Sequence, residues 1–109
     1  MKNENQIIKE MNEVVNLYDY YLASYVDKND YQICSINEEK IKNNAAKYIA
    51  RVFKTFLSMK EEEKELLNNE FFNRKRSGWW IKRYSKDEYE DLFFKTIFIF
   101  LRRFKEYAY

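Results

Sequence analysis

Apolar side chains recur at intervals of three and four along most of this chain, and that spacing predicts helices. Ile7, Ile8, Met11, Val14, Val15, Tyr18, Leu22 and Tyr25 form one stripe, which predicts a first helix from about Asn5 to Val26. Asn29-Asp30 marks a break, and a loop is expected to about Cys34. Ser35 and Glu38 then match the S-x-x-E capping box, in which hydroxyl and carboxylate satisfy each other's backbone N–H groups at a helix start. The second helix that follows carries Ile41, Ala45, Tyr48, Ile49, Val52, Phe53 and Phe56 on its apolar face, with Lys40, Lys47, Arg51 and Lys54 on its other sides.

A second box, Ser58 to Glu61, predicts the start of a third helix, and Glu61, Glu62 and Glu63 suit the positive end of its dipole. Leu66, Leu67, Phe71 and Phe72 are expected to face inward, with the helix ending before Arg74. Ser77-Gly78 is a turn signal, and Trp79–Tyr84 has room for one or two helical turns. A third box, Ser85 to Glu88, opens a last helix reaching about Tyr107. Tyr89, Phe93, Thr96, Ile97, Phe100 and Phe104 make its main stripe. Leu92, Phe94, Phe98, Ile99 and Leu101 render its middle apolar nearly all round, as expected of a helix central to a bundle or partly covered by a partner chain. The expected fold is a single all-α domain of four main helices plus one short helix, with an N-terminal helix and loop (1–34) and a helix-turn-helix-like part (35–109).

Composition agrees with this pattern and narrows the chemistry. The chain has 109 residues, no proline and one glycine, so breakers are nearly absent. Aromatic residues make up 19% of it, which predicts a bulky ring-filled core. There is no histidine and one cysteine, which removes the commonest general base, the usual nucleophile partner and the commonest zinc ligand together. The acidic pairs Glu62/Glu65 and Asp87/Asp91 sit at helix starts, where capping and the dipole explain them, and Cys34 has no histidine to activate it. The expectation is a protein that is not an enzyme and has no metal or cofactor. The longest apolar run, Leu92 to Leu101, is interrupted by Lys95 and Thr96 and is too short for a bilayer, and the N-terminus MKNENQ lacks a signal-peptide pattern. A cytoplasmic protein with no membrane association is therefore expected.

Charge is unevenly placed. Residues 73–86 carry six basic and no acidic side chains, between a stretch rich in glutamate and the acidic turn Asp87, Glu88, Glu90, Asp91. Arg74, Lys75, Arg76, Lys82, Arg83 and Lys86 are candidate phosphate contacts, and Trp79 is a candidate platform for base stacking. Neighbouring residues on a helix point about 100° apart, so Trp80 is expected in the core and Trp79 exposed.

The pattern Asn69-Glu70-Phe71-Phe72, then Trp79-Trp80, then Tyr84-Ser85-Lys86 with Tyr89 resembles the C-terminal half of phage late-transcription regulators of the ArpU type and small mollicute proteins with a similar signature. These in turn are similar to region 4 of sigma factors. The resemblance covers roughly residues 48–104. It implies an all-helical DNA-binding fold in which Ser85 caps a recognition helix beginning at Lys86. The acidic turn departs from that pattern, because four carboxylates there would meet phosphates with like charge. Two functions are thus expected in competition. One is a transcription regulator binding double-stranded DNA through Arg74–Lys86. The other is a helical interaction module that has lost DNA binding and engages RNA polymerase or a second copy of itself through Leu92–Leu101.

Overall fold

The computed structural model describes residues 4–29, 36–74 and 77–107, with side chains described for 4–23, 44–74 and 77–107. Helix α1 spans Glu4–Asn29 and α2 spans Ile36–Leu57. Helix α3 is short, Glu61–Leu67, and runs directly into a π-helical turn, Asn68–Phe72. Helix α4 spans Lys86–Glu106, and there is no strand among the described residues. The chain is a single all-α domain, as the apolar periodicity predicts. The short helix expected at 79–84 takes the form of successive hydrogen-bonded turns. Ser35, with its expected box, and Cys34 lie outside the described residues.

Helix α4 is the central element, packed against α1, α2 and α3. The core joins Met11 and Val15 of α1, Val52 of α2, Met59, Leu67 and Phe71, and Ile97, Phe100, Leu101 and Phe104 of α4. Rings run through it in series. Phe72 meets Tyr18, Phe56 and Phe100, Phe100 stacks on Phe104, and Tyr48 packs edge-on against Phe104 at 5.6 Å between centroids. Offset and edge-to-face contacts of this kind add to the gain from area burial alone.

The entry to α3 differs from expectation. Ser58 Oγ does not cap a helix but donates to the Thr55 carbonyl at 2.6 Å, ending α2. Met59 is buried in the core, and α3 begins only after it, with Lys60 as N-cap. Glu63 supplies the reach-back half of a box by accepting the Lys60 N–H at 2.9 Å. A lysine side chain has no acceptor, so the other half is missing.

Three side chains on α1 and α2 also depart from the predicted stripes. Phe53 and Leu22, expected inward, are exposed at the rim of an open groove of about 260 Å³ between α1 and α2, lined also by Tyr18, Phe56 and Phe72. Arg51, expected on a solvent side, is half-buried. Its Nε donates to the Phe104 carbonyl at 2.8 Å, and its guanidinium lies 3.8 Å from the Phe104 ring centroid. It fastens α2 to the last turn of α4 by a hydrogen bond and a cation–π contact together.

Candidate nucleic-acid interface

Glu70, Trp79 and Trp80, which precede α4, are gathered by one buried ring, Tyr89, in the first turns of that helix. Ser85 caps that helix. Its Oγ accepts the Glu88 N–H at 3.2 Å, and its own N–H donates to Glu88 Oε1 at 3.4 Å, the reciprocal box read from the sequence. With the helix start fixed there, Tyr89 falls on the inner face while Lys86, Asp87, Glu88, Glu90 and Asp91 are exposed.

Both tryptophans pack on Tyr89. Trp80 stacks flat against it, with centroids 4.3 Å apart and planes at 7°, and Trp79 meets it edge-on at 5.9 Å and 84°. Trp79 is therefore half-buried rather than exposed. The expected 100° separation applies within a regular helix, and here the backbone turns instead. Gly78 has φ of +82°, in the left-handed region, and the Ile81 N–H donates back to its carbonyl at 3.2 Å. The Trp80 carbonyl then accepts from both Arg83 at 2.9 Å and Tyr84 at 3.0 Å. Sequential turns let one tryptophan take the face of Tyr89 and the other its edge.

Glu70 closes the cluster. Its Oε1 accepts the Trp79 indole N–H at 2.9 Å and also the Tyr89 hydroxyl. Glu70 lies in the π-helical turn, whose i→i+5 closure is the Asn73 N–H to Asn68 carbonyl bond at 2.7 Å. Burial pushes the Tyr89 phenol pKa well up, and the hydrogen bond to the Glu70 carboxylate and its charge push it further. Tyr89 thus stays protonated and donating. A second tie crosses the same gap, from Arg83 to Glu65 of α3.

The basic candidates separate into groups. Arg74, at the exit of the π turn, Lys82 in the turn, and Lys86 at the start of α4 are exposed and have no ionic partner among the described residues. Arg83 is exposed but paired with Glu65. Lys75 and Arg76 lie outside the described residues. Trp79 is occupied by Glu70 and Tyr89. Glu70 was legible as part of a pattern, but its role was not, because its partners lie 9 and 19 residues away.

On the side of α4 facing α1, Glu70 and Tyr89 border an open groove of about 400 Å³ with Glu4, Glu90, Phe93 and Phe94. Three carboxylates make that side unfavourable for phosphate. Among the described residues no group of three or more His, Cys, Asp or Glu side chains is placed to hold a metal ion, and no helix is long and apolar enough to cross a membrane. No family model, no curated protein and no solved structure matches this chain.

Proposed function

We propose that this protein is a non-enzymatic, cytoplasmic transcription regulator of the sigma-region-4-like kind, which holds double-stranded DNA by its phosphate backbone through the turn between α3 and α4. The observation that carries the reading is a pre-formed turn bearing unneutralised charge. Arg74, Lys82 and Lys86 are exposed and unpaired among the described residues, while Trp79, Trp80, Tyr89 and Glu70 fix the backbone that leads from Gly78 into α4. Cations on a fixed frame lose little freedom on meeting phosphate, which favours binding. In this reading the turn positions the protein on the duplex, and α4 does not read bases with its first turn. Asp87, Glu88, Glu90 and Asp91 are all exposed there and would repel the backbone.

Binding of fluorescent duplexes at low salt tests this. Arg74→Ala, Lys82→Ala and Lys86→Ala each lower affinity by a similar factor for every duplex sequence, and Asp87→Asn with Glu90→Gln raises it. A chain that binds no duplex, or binds equally well without the three cations, contradicts the reading. The same exposed carboxylates favour the second reading, a module that binds a basic protein surface such as one on RNA polymerase. Under it, the Asp87→Asn and Glu90→Gln changes weaken association with that protein and leave the DNA signal absent.

A further inference from the structure

The outward side of α4 carries a pattern that neither DNA contact nor the core explains. Asp91, Lys95, Phe98 and Arg102 follow one another at spacings of four, three and four, so they form a single stripe. All four are exposed, on the far side of the helix from the buried stripe of Tyr89, Thr96, Ile97, Phe100 and Phe104. Phe98 is 53% exposed at the middle of the helix and makes no ring contact among the described residues. Asp91 and Lys95 stand one turn apart, yet neither has an ionic partner there. Arg102 has only a long contact, 3.8 Å, with exposed Glu106.

The charges change sign along the helix. After Lys86, Asp87, Glu88, Glu90 and Asp91 lie in its first two turns, and Lys95, Arg102, Arg103 and Lys105 follow, ahead of Glu106 at its end. The helix dipole accounts for charge in the first and last turns, but its effect fades beyond them and leaves Asp91 and Lys95 unexplained. Two of the four cations are committed inside the fold, since Arg103 donates to the Ser58 carbonyl at 2.7 Å and Lys105 stands 3.9 Å from Glu10. Lys95 and Arg102 remain on the outward stripe.

We infer that α4 is the interface of an antiparallel homodimer, and that the occupant of this stripe is the same stripe of a second copy. A two-fold axis across the middle of the helix places Asp91 opposite Arg102 of the second copy and Lys95 over its Phe98. By symmetry each contact is made twice, giving two ion pairs and two cation–π contacts around a pair of phenylalanines. Packed helices lie about 8–10 Å apart, within reach of these side chains. A parallel pair would set Asp91 against Asp91 and Arg102 against Arg102, so the charge order selects the antiparallel arrangement. One helix face makes a small interface, which puts the dimer in reversible exchange with monomer. The inference is independent of DNA contact, and its test contains no DNA.

Sedimentation equilibrium of the full chain across a range of concentrations tests it. The mass rises with concentration from 13.6 kDa towards twice that value. Phe98→Ser, Asp91→Arg and Arg102→Asp each weaken dimerisation by roughly tenfold, because each change acts twice in a two-fold dimer. The combined Asp91→Arg/Arg102→Asp variant restores it, since the reversed charges face each other again. All three positions are exposed, and helical circular dichroism checks that each variant is folded. A constant monomer mass, a Phe98→Ser variant as dimeric as the parent, or a double reversal no better than either single change overturns the inference.

Discussion

Tyr89 shows how a single side chain can hold a surface in place without being part of it. Its ring receives both tryptophans and its hydroxyl donates to Glu70, while burial and the neighbouring carboxylate keep it protonated. The unfolded chain releases this proton near the ordinary tyrosine value of 10.0, whereas the folded chain keeps it to higher pH. The stabilisation is therefore complete below about pH 10 and falls as pH rises beyond it. Tyr89→Phe lacks this dependence. Urea unfolding at neutral pH should place it about 1–2 kcal/mol below the parent, for loss of a hydrogen bond to a carboxylate. That gap should narrow above about pH 10, and a gap that stays constant would mean the phenol does not titrate as described. Thr96 is the opposite case. Its hydroxyl is fully buried and has no hydrogen-bond partner among the described residues. Thr96→Val keeps the shape and removes the orphaned group, so urea melts should show a gain of about 1 kcal/mol. A loss would reveal a partner for that oxygen.

Among the elements, those with local causes were legible in the sequence. The last helix begins at Ser85 because hydroxyl and carboxylate three residues apart satisfy each other, and its inner stripe follows from helical spacing. The start of α3 was misplaced because Ser58-x-x-Glu61 has the same spelling, and only the burial of Met59 moves the start to Glu61. The π turn is invisible to periodicity, since one extra residue per turn changes no residue type. Exposure of Phe53 and Leu22 is equally hidden, because an apolar stripe does not tell which of its members border an open groove. The turn at Gly78 was marked by the chain's one glycine, and φ of +82° gives the reason. A Cβ there would stand 2.8 Å from Ile81 Cδ1, which can swing away because Ile81 is exposed, so the backbone strain is what remains. Gly78→Ala should cost about 1–2 kcal/mol in thermal or urea unfolding, and no cost would show that the turn readily adopts another form.

At the scale of the molecule, a ring-filled helical core supports two outward faces made from one helix and the turn before it. The turn presents Arg74, Lys82 and Lys86, and the outer side of α4 presents Asp91, Lys95, Phe98 and Arg102. Dimerisation through the second face would place two basic turns in one assembly and draw Asp91 away from the duplex. The interaction surfaces were legible in outline, as a basic segment followed by an acidic one. The sequence did not reveal that Arg83 is already neutralised by Glu65 or that Trp79 is engaged by Glu70, because the partners lie earlier in the chain, on α3 and in the π-helical turn. The most direct test of the central claim is the salt dependence of duplex binding, measured for the parent and for Arg74→Ala/Lys82→Ala/Lys86→Ala. Each phosphate contact contributes roughly 0.9 to the slope of log affinity against log salt. The parent is expected to lose affinity steeply with salt, and the triple variant to show a slope shallower by between two and three, about 2.7 if all three contacts are made. Equal slopes for the two proteins, or no binding by the parent at low salt, would contradict the assignment of this turn as a DNA-contacting surface.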